Sequence, residues 1–142
     1  MNNLKFRAKA NINNEWIYAS NIHKVVLDDT NEELWVMHPK GEKIEHLGDG
    51  YIKYRPLVVD EETIGQYTCL KDINGVEIYE GDILECEPMM KSEKDKTIRY
   101  VRHNGIYFVA QVTGDFGNML FDCVSIGVTV IGNIHENGEL LK

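Results

Sequence analysis

Apolar and polar side chains alternate along residues 3–10, with Leu4, Phe6, Ala8 and Ala10 on one side and Lys5, Arg7 and Lys9 on the other. That period of two predicts a half-buried strand. A turn cluster, Asn11-Ile12-Asn13-Asn14, leads into Glu15-Trp16-Ile17-Tyr18-Ala19, the aromatic and β-branched partner of a hairpin. Further strands are predicted at residues 22–27 and 34–38, the second cut by Pro39. Residues 40–50 are polar and Gly-rich and read as a loop, and residues 51–59, interrupted by Pro56, suit an edge strand or a link because proline cannot donate to a ladder.

The chain is organised around residues 64–87, where runs at 66–70, 76–79 and 83–86 are separated by turns at Asp72-Ile73-Asn74-Gly75 and Glu80-Gly81-Asp82. Asn74-Gly75 supplies two residues tolerant of positive φ, as a type I′ hairpin requires, and Gly81 can re-aim the backbone into a new strand. Asp72 is expected to accept hydrogen bonds from turn amides. Residues 88–96 form a charged stretch; with residues 40–50 it is expected as a mobile or disordered loop. Strands at 97–103 and 106–112 flank Asn104-Gly105, the strongest hairpin signal in the chain. After a loop at 113–118, short strands are predicted at 119–124 and 128–131, and the tail ends in one helical turn over 139–141 with Asn137 as N-cap. The three-and-four spacing of a long helix is nowhere sustained. The prediction is a single all-β domain over residues 1–142, built as a partly open barrel or packed sheets with a β-hairpin extension.

Composition adds little to this picture, but charge does. The 142 residues carry a net charge of −8, and residues 60–87, with nine acidic residues against Lys71, account for the whole excess. Residues 88–111 carry the opposite sign, with Lys91, Lys94, Lys96, Arg99 and Arg102. Such acidity argues against duplex nucleic acid, whose binding is driven by basic contacts that release counterions. No apolar run approaches a membrane span, and the amino-terminal stretch lacks the apolar core of a signal peptide, so a cytoplasmic protein is expected.

Candidate chemistry is sparse. Cys69, Cys86 and Cys123 are widely spaced in apolar runs, which suits reduced thiols; a zinc site with His103 or His135 lacks the paired spacing that pre-forms half a tetrahedron. The glycine of a calcium loop belongs where Glu77 stands, so Asp72-Ile73-Asn74-Gly75 does not fit that motif. No cofactor, metal or catalytic motif is recognised, and no enzymatic activity is expected. Glu77, Glu80, Glu85 and Glu87, with Met89, Met90, Lys91, Lys94 and Lys96, make a candidate interaction surface. The basic stretch with Tyr100 and His103 interleaved is the one feature that favours single-stranded nucleic acid.

Lys5-Phe6-Arg7-Ala8, Ile64-Gly65-Gln66-Tyr67-Thr68, Leu70-Lys71-Asp72, Asn74-Gly75, Glu77-Ile78-Tyr79-Glu80-Gly81-Asp82-Ile83 and Val130-Ile131-Gly132-Asn133-Ile134-His135-Glu136-Asn137 together resemble the YopX family of bacteriophage and prophage proteins. The resemblance implies a mainly β fold and a phage or prophage origin in a bacterium, with no activity attached. The chain departs from the family pattern at Cys69, where glycine is usual, at Lys9, where tryptophan is often found, and at Gly138, where proline is usual. The expected function is that of a phage accessory protein that binds a host or phage protein or assembles with itself. A nucleic-acid-associated phage factor and an enzyme of unrecognised type are the alternatives.

Overall fold

A computed structural model describes residues 4–39, 43–47, 51–54, 56–90, 94–112 and 117–142. Strand makes up 49% of the chain and helix 12%, so the fold is all-β. It divides into two compact units, Met1–Gln66 and Tyr67–Lys142.

In the first unit β1 (Phe6–Lys9) pairs antiparallel with β2 (Trp16–Ala19), and its other edge receives the first residues of β8 (Gly65–Lys71). β3 (Ile22–Val26), β4 (Glu33–Met37) and β7 (Leu57–Val59) form a three-stranded sheet. Ala8, Ala19, Met37 and Val59 are buried together, with Phe6, Ile17, Ile22, Trp35 and Ile64 packed against them. Residues 43–47, expected as loop, instead form β5 (Lys43–Leu47), paired with β6 (Tyr51–Tyr54) as a hairpin. Its partner strand supplies the backbone bonds that its own polar sequence did not advertise. The rest of the 40–50 loop expectation, and residues 91–93 of the 88–96 one, lie outside the described residues; residues 88–90 and 94–96 are irregular.

In the second unit the remainder of β8 pairs with β9 (Glu77–Tyr79). A five-stranded antiparallel sheet follows, ordered β13 (Gly117–Met119), β12 (Phe108–Gln111), β11 (Thr97–His103), β10 (Asp82–Cys86), β14 (Val128–Asn133). β10 is an interior strand, and Ile83, Leu84 and Cys86 are all fully buried, which explains adjacent apolar residues at 83 and 84 where alternation would mark a half-exposed strand. All four sheet orders are open, so no barrel closes among the described residues.

The strand predicted at 119–124 is a helix, α1 (Leu120–Ile126). Leu120 and Cys123 are its buried residues, with Val124 packed against the same core, and this three-and-four spacing suits one helical stripe. Gly127, at φ 136, stops it. The final turn is a 3-10 helix at Gly138–Leu141. Asn137 occupies its N-cap without capping, because its Oδ1 accepts the Asn133 N–H at 3.1 Å.

Candidate functional site

The two turns of the organising stretch are built around buried carboxylates. At the first, Gly75 N–H donates to Asp72 O (3.0 Å) and Asp72 N–H to Val76 O (2.9 Å). Gly75 has φ 80, but Asn74 is not in the positive-φ region, so the turn is not the predicted type I′. It follows the three-residue pattern in which one left-handed residue closes the hairpin. Asp72, 7% exposed, accepts from the N–H groups of Asn74 (2.8 Å) and Val76 (2.9 Å) through Oδ1, and from Val130 (3.0 Å) through Oδ2. One carboxylate thereby fastens the hairpin tip to β14. Burial pushes the Asp72 carboxyl up, and the amides of Val130, Val76 and Asn74 more than offset this, holding it below its ordinary value.

At the second turn Asp82 is buried and its Oδ2 accepts the Tyr79 N–H at 2.8 Å. Gly81, at φ 92, donates to Val101 O and accepts from Ile134 N–H, both at 2.8 Å. A Cβ there would lie 3.3 Å from His135 Nε2, so both backbone conformation and space favour glycine.

The candidate interaction surface is only partly assembled. Lys96 reaches Glu85 Oε1 at 3.2 Å and Glu87 Oε1 at 3.3 Å. These carboxylates, Glu85 first, hold its ammonium above the ordinary lysine range. Glu77 and Glu80 are half-buried. Met89 packs against the core, leaving Met90 as the exposed member of the pair. Lys94 is exposed, and Lys91 lies outside the described residues. Of the other basic residues, Arg99 is buried, and Arg102 is exposed with Nε donating to Gln111 Oε1 at 3.1 Å.

Exposed apolar residues that sequence reasoning missed lie near one of these acids, Glu87. Ile73 is 67% exposed, Val76 48% and Ile126 43%. Ile73 N–H donates to Val128 O, and the Ile73 side chain lies against Gly127, which follows Ile126 directly. The same glycine is flanked by Glu87, so acidic and apolar side chains meet there. α1 also carries Phe121 outward, 63% exposed. The available signal was Ile73 itself, a large β-branched residue in a turn where small or polar residues serve the backbone.

In the first unit, a depression of about 260 Å³ is lined by residues that include Asn13, Glu15, Trp16, Tyr18 and Pro39. It is smaller than ordinary small-molecule sites, which run from about 300 to 1,000 Å³. Among the described residues, no three metal-ligating side chains converge.

A family model described as YopX protein matches residues 5–142. The chain belongs to the YopX family. This family is associated with phages and prophages. Among solved structures the YopX chain is similar to protein EF1440 from Enterococcus faecalis, at 31% identity over 98% of both chains and a TM-score of 0.60. No curated protein matches. The turn at Asp72 to Gly75 is the one that presents Ile73 to solvent. No helix among the described residues of this YopX chain is long and apolar enough to cross a membrane.

Proposed function

We propose that this YopX-family protein is a phage accessory factor that acts by binding another protein, through the surface formed by Ile73, Val76 and Ile126 with Glu85 and Glu87 beside it. The observation that carries this reading is the approach of the exposed Ile73 side chain, from one chain segment, to Gly127 of another, next in sequence to exposed Ile126 and flanked by Glu87. Scattered exposed apolar residues need no explanation, whereas a contiguous group rimmed by charge is the usual form of a protein contact. The acidic rim selects a partner whose apolar face is bordered by lysine or arginine.

Self-assembly through the chain's own basic stretch fits less well. Lys96 is already held by Glu85 and Glu87, and Arg99 is buried. The same two facts count against single-stranded nucleic acid, which needs those cations on the surface. Binding, in place of catalysis, is the activity proposed.

Photo-crosslinking in the host bacterium tests it. A photoreactive residue at position 73 or 126 is expected to capture one defined protein, and one at Ile106, 84% exposed on a different turn, to capture none. Adducts that do not depend on position, or adducts joining two copies of this chain, would overturn the proposal.

A further inference from the structure

Cys86 ends β10, an interior strand of the five-stranded sheet, and Cys123 lies in α1. Both are free and buried, at 0% and 1% exposure, in one cluster with Ile78, Leu84, Val101, Ala110, Leu120 and Val128. Their thiols hydrogen-bond each other. Two thiols in a core are ordinarily inert.

A buried cation makes this pair different. Arg99 on β11 stands opposite Leu84 of β10 and is 7% exposed. Its guanidinium donates to Thr97 Oγ1 (3.0 Å), Ala110 O (3.2 Å) and Asn118 Oδ1 (2.6 Å), all neutral acceptors. Among the described residues no carboxylate pairs with it. A buried cation without an anion carries a large desolvation penalty, and its field favours a negative sulfur nearby. The Cys86 thiol's hydrogen bond, working against burial and aided by Arg99, brings the Cys123 thiol down to about 7. The same hydrogen bond, with burial, pushes Cys86 up.

We infer that Cys86 and Cys123 are a peroxide-sensitive dithiol, poised beside Arg99 to close into a reversible disulfide that ties α1 to β10. Cys123 is the attacking group. Its thiolate takes one oxygen of hydrogen peroxide, forming an S–O bond as the O–O bond breaks, and the departing hydroxide leaves as water after gaining a proton. The Cys86 sulfur then attacks the sulfenic sulfur of Cys123, forming the S–S bond and breaking S–O. That second hydroxide leaves as water with the Cys86 proton. Two thiols and one peroxide thus give one disulfide and two waters. Access comes through α1, a seven-residue helix whose N-cap, Met119, makes no side-chain bond, so its local opening admits a small neutral oxidant.

The test uses the full chain carrying Cys69→Gly, which removes the exposed third thiol. After one equivalent of hydrogen peroxide, catalase quenching, denaturation, alkylation and digestion, the Cys86 and Cys123 peptides are expected to be joined, with both thiols returning after dithiothreitol. Cys86→Ser is expected to stop at a sulfenic acid on Cys123 that dimedone traps, and Cys123→Ser to give no adduct on Cys86. Arg99→Met is expected to raise the midpoint of the thiolate absorbance titration, and Arg99→Lys to restore it. Peptide mapping of the unmodified chain decides the matter even if these core variants fail to fold. Two thiols that both stay alkylatable after peroxide, or that oxidise to sulfinic acids without a linked peptide, overturn the inference.

Discussion

Replacing Asp72 with alanine removes the acceptor for three backbone N–H groups at 2.8, 2.9 and 3.0 Å. A hydrogen bond to a charged group is worth about 1.5–3 kcal/mol net, and an N–H left unsatisfied away from water adds its desolvation cost. The Asn74 amide sits on an exposed turn and can find water, whereas Val130 lies in a sheet strand. Counting Val130 fully and the two turn amides in part gives a loss of about 3–5 kcal/mol. Asp72→Asn keeps one acceptor oxygen but turns an NH₂ toward either the tip amides or Val130 N–H, donor against donor, and is expected to lose about 2–3 kcal/mol.

Urea unfolding at neutral pH measures both losses, and a pH series adds a second arm. The Asp72 carboxyl lies below its ordinary 3.8 in the folded chain. A depressed folded pKa gives stabilisation that is fully present above the unfolded value and is lost as pH falls through the folded one. Relative to Asp72→Asn, the unmodified protein is therefore expected to lose its advantage only as the pH drops below 3.8. An alanine variant within about 0.5 kcal/mol of the parent, the range of ordinary surface changes, would refute the reasoning. So would an advantage over asparagine that persists below the folded pKa.

Cys69 has φ 66 and is exposed, so Cys69→Gly is expected to raise unfolding stability by about 0.5–1 kcal/mol, relieving a left-handed backbone at no packing loss. Nothing lies within 4 Å of a Cβ at Gly138, so Gly138→Ala is expected to raise the urea midpoint, by about 0.4–1 kcal/mol in stability. Gly138→Pro is expected to give no such gain, because Asn137 at ψ 31 occupies a region that a following proline disfavours. Ile73→Glu, on an exposed turn, is expected to leave stability within about 0.5 kcal/mol by the same urea assay while abolishing the crosslink from position 126.

The strands were legible wherever the chain alternates or turns sharply. Thr97–His103 matches its predicted bounds, and the first hairpin forms with Phe6 opposite Ala19. Leu120–Ile126 was misread because seven residues hold barely two turns, too few for a period of 3.6 to separate from a strand of the same length. The position of Cys69 was half-legible. The family resemblance marks it as a usual glycine, and the structure supplies the reason: β8 sets Tyr67 opposite Tyr79 but Lys71 opposite Glu77, so extra residues bulge from the ladder there. Thr68 Oγ1 donates to Ile78 O across that bulge, and Cys69 takes the left-handed turn that a glycine adopts without strain.

The candidate surface was less legible, since its acids lie in one stretch and Ile126 comes from another. Charge counting found Glu85, Glu87 and the basic stretch but not which of these residues face each other. Strand pairing brings Lys96 beside both carboxylates, because β10 and β11 are neighbours and set Cys86 opposite Thr97. Arg99 was counted as a surface cation. Alternation along β11 turns it inward, with Val101, where it bonds Ala110 O and Asn118 Oδ1.

A titration of the crosslinked partner, once purified, against the unmodified chain, Ile73→Glu, Glu87→Lys and Ile106→Glu tests the binding claim most directly. Burying an isoleucine side chain is worth about 1.5–3 kcal/mol, so Ile73→Glu is predicted to weaken binding by at least about tenfold. Glu87→Lys is predicted to weaken it most at low salt, and Ile106→Glu to leave it unchanged. Equal affinity for the parent and Ile73→Glu would contradict the account.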